Sequence, residues 1–336
     1  MNCCPACFND QEIKGIITEL SSTTGNCEYC GHRDQSIIPV EELLDNFTPL
    51  LDLYEIDEHS ETDLCSLLHQ DWNTFINSGL CNRILTDMLT GTSYEGLLRN
   101  KVRLKYSVDD SITAWENFAD EIKNENRFFI ANNIIARQVV HKLLSYHTKT
   151  LRAGTRFYRG RICDTVDGYA EQDLHKPPRN VATPGRANPD GISYFYLAKE
   201  LETTIYEIGA SIRDFVSIGE FELTEDIVIV ALKEVRNASP FIDDINLEEY
   251  IINKDILKQF GRALSTPLRS FDSVREYLPT QYLCEYIKSL NIEGVEYASA
   301  MHEGGTNYAF FDEAKFRFIK VETKTVETIN ITIGQT

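Results

Sequence analysis

The feature that most constrains the fold of this chain is a change in the period of its apolar residues near Gly154. Over residues 36–150, apolar residues recur at intervals of three and four, which is the period of an amphipathic helix. After Gly154, short runs rich in aromatic and β-branched residues, such as TRFYRGRI, ISYFYLA and DIVIVAL, alternate with a few helical patterns. The sequence therefore predicts an all-α helical bundle over 36–150, followed by an α+β domain over 151–336.

The N-terminal segment, residues 1–35, contains two Cys-x2-Cys pairs, formed by Cys4, Cys7, Cys27 and Cys30. Four thiolates can close a tetrahedral shell around zinc, and a closed shell leaves no open position for a substrate. So short a segment has too little apolar surface to fold unaided, so the metal would supply its stability. The pattern predicts a small zinc ribbon with a structural role. Cys3 adjoins Cys4 and is an alternative ligand.

The net charge of the chain indicates which classes of partner to expect, and its apolar pattern indicates the compartment. The formal net charge is −19, and the averaged field of such a protein repels nucleic acids and anionic lipids, although a local basic cleft can hold a small anion. The sequence shows no run of eighteen apolar residues and no pattern typical of a secretory signal. We therefore expect a cytoplasmic protein with neither a membrane nor a nucleic acid as its partner.

Arginines stand beside two strand and turn patterns of the α+β region. In FYRGR, Arg159 and Arg161 share one face of a strand and Tyr158 takes the other. In GRANPDG, turn residues surround Arg186 and constrain its loop. A guanidinium can bind a carboxylate or a phosphate with two parallel hydrogen bonds, so the two segments could clamp a diphosphate. For any single arginine, a surface ion pair with one of the 52 acidic side chains is the alternative.

Three further candidates come from a strand, a helix and a loop. Tyr194 and Tyr196 point to the same side of a predicted strand, and the helix that follows returns Glu207 near the same edge. Downstream, Ser299 ends a strand before the loop HEGGTN. Ser299 lacks a G-x-S-x-G elbow and an identifiable histidine base, which argues against a hydrolase triad. The pattern predicts that an aromatic face, a carboxylate and arginines converge.

Three blocks, in this order and spacing, resemble the RES domain family: FYRGR, GRANPDGISYFYLAKELETTIYE and QYLCEYIKSLNIEGVEYASAMHEGGTNYAFF. The resemblance covers about residues 150–325. It implies a fold similar to that of ADP-ribosyltransferase toxins. It also implies cleavage of NAD+ at the nicotinamide glycosidic bond, with inorganic phosphate as the acceptor in some members. Since many members belong to toxin–antitoxin pairs, it further implies an antitoxin or inhibitor protein as a partner.

The resemblance places the family's functional side chains on Arg159, Arg186, Tyr196, Glu207 and Ser299 of this sequence. It implies that Glu207 stabilises an oxocarbenium-like ribosyl cation and orients the acceptor. Glu202, five residues earlier, is the alternative if the register is displaced.

The other assigned residues would hold the substrate. Arg159 and Arg186 are expected to bind the diphosphate of NAD+, with Arg159 counted among the catalytic residues. Tyr196 is expected to pack on the nicotinamide or the ribose, with Tyr158 as a neighbour, although core packing is the alternative for either tyrosine. Ser299 is expected to hydrogen-bond the ribose or the acceptor phosphate.

The segment before the RES-like region resembles the HEPN-like extension of some larger RES proteins. HEPN ribonucleases place four to six residues between an arginine and a histidine, whereas the nearest pair here, Arg137 and His141, has three between. This departure argues against cleavage of RNA. The expected domains are a zinc ribbon over 1–35, a HEPN-like helical domain over 36–150 and a RES domain over 151–336.

The expected function is that of an NAD+-degrading enzyme, a phosphorylase or a glycohydrolase, which acts as an intracellular toxin or defence effector. One alternative is an ADP-ribosyltransferase that modifies a macromolecule, for which label from NAD+ would appear on that macromolecule. Another is an inactive NAD-binding adaptor, which would bind NAD+ without turnover. The sequence leaves the acceptor, the trigger and homo-oligomerisation open.

Overall fold

The computed structural model describes residues 1–106, 109–130, 137–235, 237–267 and 273–329. The side chains at 109–112, 137, 138 and 179 fall outside this description, including that of Arg137 named above. The chain divides into two compact units, of which the first is Met1–Ser111 with Arg236–Lys254 and the second is Ile112–Val235 with Asp255–Thr336. The three domains expected from the sequence stay a prediction. Within the described ranges, no helix has the length and apolar character needed to cross a membrane.

The first unit combines short strands with helices. Its strands are β1 (Asn2–Cys3), β2 (Thr23–Gly25), β3 (Gln35–Pro39), β4 (Tyr54–Ile56) and β5 (Val102–Leu104). They form an antiparallel sheet of order β1–β3–β2 and a separate β4–β5 pair. Its helices are α1 (Gln11–Leu20), α2 (Leu44–Leu51), α3 (Leu64–Asp71), α4 (Ser78–Leu89) and α5 (Glu95–Arg99). Because strands occur inside the segment predicted to be all-α, the helical bundle is not confirmed.

A buried network joins the returning stretch 236–254 to the rest of the first unit. Lys254 Nζ lies 3.1 Å from Asp71 Oδ1, and both side chains are buried. The hydroxyl of Tyr54 donates to Asp71 Oδ2 at 3.0 Å, and Trp72 Nε1 donates to that hydroxyl at 3.1 Å. Burial, followed by the charge of Asp71, raises the pKa of Tyr54 well above its usual value. The buried charges are thus paired and hydrogen-bonded, as a stable interior requires.

The second unit is built on an eight-stranded sheet. Its strands are β6 (Thr148–Leu151), β7 (Arg156–Cys163), β8 (Phe195–Ala198), β9 (Phe215–Leu223), β10 (Ile227–Ala231), β11 (Gly294–Ala298), β12 (Thr306–Phe310) and β13 (Phe316–Thr325). Their spatial order is β13–β9–β7–β8–β12–β11–β10–β6, and every pair is antiparallel except β10 with β11. The remaining helices are α6 (Asp109–Asp120), α7 (Arg137–Ser145), α8 (Glu171–Leu174), α9 (Leu201–Glu207), α10 (Leu247–Ser265) and α11 (Leu278–Ser289). The α+β class predicted for this region is confirmed.

Aromatic side chains at alternate strand positions form the core beside this sheet. Phe157 on β7, Phe195 on β8, Phe221 on β9 and Phe310 on β12 are fully buried. Phe195 meets Phe221 edge to face at a centroid distance of 4.9 Å, and Phe157 meets Phe310 in the same way at 5.2 Å. Edge-to-face contacts of this kind add to the stabilisation gained by burial. The core therefore fixes the central strands that carry the candidate site residues.

The sheet opens between its two central strands. Strand β7 pairs with β9 from Arg156 to Cys163, but it pairs with β8 at only one position, Tyr158 opposite Ala198. Helix α9 packs against β7 at Gly160, where an added Cβ atom would lie 2.7 Å from Thr204 Cγ2. A side chain at position 160 would push the helix away. The glycine therefore lets α9 approach the strand and bring its last residue, Glu207, to this opening.

Gly160→Ala should lower the free energy of unfolding of the second unit by about 1–3 kcal/mol, because the added methyl group overpacks a closed contact. Differential scanning calorimetry would show this as a lower midpoint for the transition of that unit. Gly15→Ala in α1 is the matched control, since a Cβ there meets no atom within 4 Å. The control should leave the second unit's midpoint unchanged, and equal midpoints for Gly160→Ala and wild type would contradict the role given to Gly160.

Candidate active site

A cavity of about 400 Å³ lies where β7 and β8 separate. Five residues predicted from the sequence line it: Tyr158, Arg159, Arg186, Tyr196 and Glu207. The sixth, Ser299, joins the site through a hydrogen bond to Glu207. The volume falls within the range of about 300–1,000 Å³ that is typical of small-molecule sites. The structure thus brings together side chains that are up to 141 positions apart in the sequence, since Tyr158 and Ser299 belong to the same site.

The two carboxylate oxygens of Glu207 have different surroundings. Oε1 accepts hydrogen bonds from Ser299 Oγ and from Asn307 Nδ2, both at 2.6 Å. Oε2 lies 3.5 Å from Arg186 Nη2, a longer contact. The side chain is one-fifth exposed, so the carboxylate borders the cavity without being freely solvated. Oε1 is therefore held by the protein, and Oε2 is the oxygen available to a ligand.

Ser299 orients this carboxylate from a turn after β11. Its hydroxyl donates to Glu207 and accepts hydrogen bonds from the backbone N–H groups of Met301 at 3.2 Å and His302 at 3.1 Å. A hydroxyl has one hydrogen to donate, and that hydrogen is used on Glu207. In this arrangement Ser299 is a positioning residue, and its predicted contact with ribose or phosphate stays a prediction.

Arg186 is anchored to the end of a helix. Its Nη1 donates to the carbonyl oxygens of Leu264 at 3.2 Å and Ser265 at 3.0 Å, which are the last two residues of α10. Cations stabilise helix C-termini because the terminal carbonyl groups lack partners within the helix. The other nitrogen, Nη2, faces Glu207 Oε2. Arg186 therefore enters the cavity with one edge of its guanidinium while the other edge holds α10.

Tyr196 fixes the loop that carries Arg186. Its hydroxyl donates to Asn188 Oδ1 at 2.7 Å and accepts from the backbone N–H of Ala187 at 3.2 Å. Burial raises the pKa of this hydroxyl well above its usual value, so it stays protonated and keeps its donor. A Cβ at Gly185 would lie 2.8 Å from the hydroxyl, which explains why a glycine stands there. Tyr196 thus shapes the site with its hydroxyl and is one of the residues that line the cavity.

Arg159 bridges the opening in the sheet. Its Nη1 donates to the carbonyl oxygen of Tyr196 at 3.0 Å. Burial, followed by the like charge of Arg161, lowers the pKa of Arg159 to about 10, which leaves the guanidinium charged at neutral pH. Its buried Nε has no hydrogen-bond acceptor in the described part of the chain. A buried donor without an acceptor is costly, so a bound anion beside this guanidinium would be stabilised.

Two other sequence candidates lie elsewhere. Arg161 donates to the carbonyl oxygen of Asp173 at 2.7 Å and lies over the ring of Tyr169, and it does not line the cavity. Glu202, the alternative to Glu207, lines a different cavity on the other side of α9 together with Tyr206. The structure therefore favours Glu207 as the carboxylate of this site.

Sequence reasoning missed several side chains that complete the site: Asn188, Tyr277, Tyr297 and Asn307. Asn307 is the last residue of the segment HEGGTN, so its position was part of the third motif block, but its side chain had no feature that marks it as functional. Only the antiparallel pairing of β11 with β12, which sets Asn307 opposite Tyr297, brings its amide to Glu207.

In the first unit, the four cysteines predicted to bind metal come together. The sulfur atoms of Cys4, Cys7, Cys27 and Cys30 all lie within 4.8 Å of one another. Cys7 Sγ lies 3.4 Å from Cys27 Sγ, and Cys4 Sγ lies 3.5 Å from Cys30 Sγ. Tetrahedral zinc with Zn–S bonds of about 2.3 Å requires sulfur separations of about 3.8 Å, so this donor set is compatible with zinc. Cys3, the alternative ligand, is not part of this cluster.

Comparison with known proteins shows which family the chain belongs to. Among solved structures, the chain is similar to the M. tuberculosis MbcT–MbcA toxin–antitoxin complex, with 12% identity, a TM-score of 0.35, and coverage of 56% of this chain and 93% of that chain. No curated protein matches this chain. The family model described as the RES domain matches residues 156–333, more than half of the 336 residues. This match includes every residue assigned above to the cavity, and the chain therefore belongs to the RES domain family.

Proposed function

We propose that this protein degrades NAD+ by cleaving the bond between nicotinamide and ribose. The observation that carries the proposal is a carboxylate, Glu207, placed with two guanidinium groups, of Arg159 and Arg186, around one cavity. Membership of the RES family supports NAD+ as the substrate. Within a chain of net charge −19, this local pair of arginines offers a site for a small anion.

The diphosphate of NAD+ would be held by the arginines. Arg159 is charged at neutral pH, and its Nε lacks an acceptor among the residues the structure describes. Arg186 offers Nη2 at the border of the cavity. Binding energy from the diphosphate, which does not react, would position the ribose beside Glu207.

The chemistry requires stabilisation of positive charge. When the C–N bond breaks, its electron pair leaves with nicotinamide, which departs as a neutral molecule and needs no proton. The ribosyl carbon becomes oxocarbenium-like, as in glycoside hydrolysis. Glu207 Oε2 would stabilise this charge, while Ser299 and Asn307 hold Oε1 in place. An oxygen of water or phosphate then bonds to the same carbon, and a proton from water passes to solvent.

Aromatic rings would supply the surface for the nicotinamide. Tyr158, Tyr196, Tyr277 and Tyr297 all line the cavity. A planar heterocycle gains both buried area and favourable ring contacts against such side chains. The leaving group would therefore lie against these rings, with its bond to ribose directed at Glu207.

We propose from the family that the protein acts as an intracellular toxin or defence effector. An enzyme that consumes NAD+ harms the cell that contains it, so an antitoxin or inhibitor protein is the expected partner. A structural zinc ion held by the four clustered cysteines completes the proposal. All four positions of such a shell are occupied by protein ligands, so this ion would support the fold and not the reaction.

Incubation of the full-length protein with NAD+ should release nicotinamide, because the site combines a charge-stabilising carboxylate with anion-binding arginines. Chromatography and mass spectrometry, with and without inorganic phosphate, would identify the second product. ADP-ribose indicates hydrolysis, and a phosphorylated ADP-ribose indicates phosphorolysis. Label that moves from NAD+ to a macromolecule would indicate a transferase. Binding of NAD+ with no release of nicotinamide under any of these conditions would contradict the proposal and favour the adaptor.

A further inference from the structure

A second cavity, of about 320 Å³, borders the first. Tyr277 lines both cavities. The C-terminal turn of α10 separates them, because Arg186 contacts the carbonyl oxygens of Leu264 and Ser265 on one side, while Ala263 and Thr266 line the second cavity. The two cavities therefore lie on either side of this turn and share Tyr277 in their walls.

The second cavity contains groups suited to a purine base. Trp115 on α6 forms part of its wall and is braced by Phe118 and Phe260, with centroid distances of 5.7 and 6.4 Å. Gln259 on α10 also lines it, and no hydrogen-bond partner of its side-chain amide is found among the described residues. A glutamine amide can donate to and accept from adenine at the same time, and stacking on an aromatic ring binds the face of the base.

The charges of this cavity favour an anionic ligand of modest charge. Lys123 lies 2.6 Å from Glu276, so these two lining residues largely offset each other. Arg262, in the last turn of α10, is exposed and has no carboxylate of the described chain within ion-pair distance. Among the described residues that line this cavity, Arg262 thus offers an unpaired guanidinium, which matches a single phosphate group.

We infer that the second cavity binds the adenosine monophosphate half of the dinucleotide. This inference rests on the proposed function, in which the nicotinamide half occupies the first cavity. Trp115 stacks on the adenine and Gln259 hydrogen-bonds its edge. Arg262 adds a further cation to the adenosine-side phosphate of the diphosphate that Arg159 and Arg186 hold. Trp115 and Lys123 precede residue 156, so part of this subsite comes from outside the segment matched by the family model.

The test compares two substrates that share the same scissile bond. NAD+ contains the adenosine monophosphate half, and nicotinamide mononucleotide lacks it. Arg262→Ala and Gln259→Ala should each raise KM for NAD+, by about tenfold for the arginine since hydrogen bonds to charged groups are the stronger ones. Both variants should leave KM and kcat for the mononucleotide unchanged. Arg152→Ala, an exposed arginine paired with Asp226 in the same unit, is the control and should alter neither substrate.

The outcomes separate this inference from the proposed function. Unchanged KM for NAD+ in both variants, or equal losses with the two substrates, would overturn the inference. Impaired transfer to an acceptor with unchanged KM for NAD+ would assign the cavity to the acceptor and would also overturn it. If the wild type cleaves neither substrate, calorimetric titration with adenosine monophosphate tests directly whether the second cavity binds this ligand. Binding that Arg262→Ala and Gln259→Ala weaken supports the subsite although the proposed activity fails, and binding that is absent or equal in all variants excludes it.

Discussion

Glu207→Gln should lower kcat for nicotinamide release by about 10²- to 10³-fold, which is the usual loss when one electrostatic stabiliser is removed. The amide keeps the size of the side chain, and its oxygen can still accept from Ser299 and Asn307. The negative charge at Oε2 is lost, and the new NH2 group would face the donor Nη2 of Arg186. KM for NAD+ should change much less, because both arginines remain. Initial rates with NAD+, measured by chromatography, provide the check.

Glu202→Gln is the matched control for this change. It removes a carboxylate from the same helix, but Glu202 lines a different cavity and should not contact the substrate. Its kcat should equal that of the wild type. Asn307→Ala tests the support of the carboxylate and should lower kcat by about tenfold, since one hydrogen bond to Oε1 is lost. Wild-type turnover by Glu207→Gln, or a comparable loss in Glu202→Gln, would show that the assignment of the carboxylate is wrong.

Cys27→Ser should abolish binding of the proposed zinc ion and unfold the N-terminal segment of the first unit. The sheet there has strands of only two, three and five residues, so little of its stability comes from pairing. Structural zinc contributes apparent binding energies of about 10–16 kcal/mol at pH 7 in small domains, which is far more than such strands supply. Elemental analysis should find one zinc ion per wild-type chain and none in the variant. Thermal unfolding followed by circular dichroism should show a lower midpoint temperature for the transition of the first unit.

Cys163→Ser is the control for this second experiment. Cys163 is buried in the second unit, 3.5 Å from Ser217 Oγ, and does not belong to the cluster. It should retain one zinc ion per chain, and the transition of the first unit should be unchanged. A chelator added to the wild type should reproduce the effect of Cys27→Ser. Zinc retained by Cys27→Ser, or a wild-type protein that folds equally well with and without chelator, would contradict the proposed role of the cluster.

Local sequence patterns were enough to predict the fold class of the C-terminal region and the family. The change of period near Gly154 indicated an α+β region, and three motif blocks indicated the RES family, which the family match confirms. The side of β7 on which Arg159 lies follows from alternation along a strand, because successive side chains point to opposite faces. The all-α bundle was not confirmed because β4 and β5 have three residues each, too few to show a strand period.

The sequence alone determined which residue types could serve the site, and the tertiary structure decided which of them meet. Spacing placed Glu207 on a helix near the edge of the predicted strand, but the single pairing position of β7 with β8 creates the opening that it faces. The sequence pattern around Arg186 predicted a contact with phosphate. It did not indicate that Arg186 also caps the end of α10, almost eighty residues later in the chain. Asn307 reaches Glu207 across one hundred residues. Such contacts depend on how strands pair and helices pack over long separations, and no local period in the sequence encodes that.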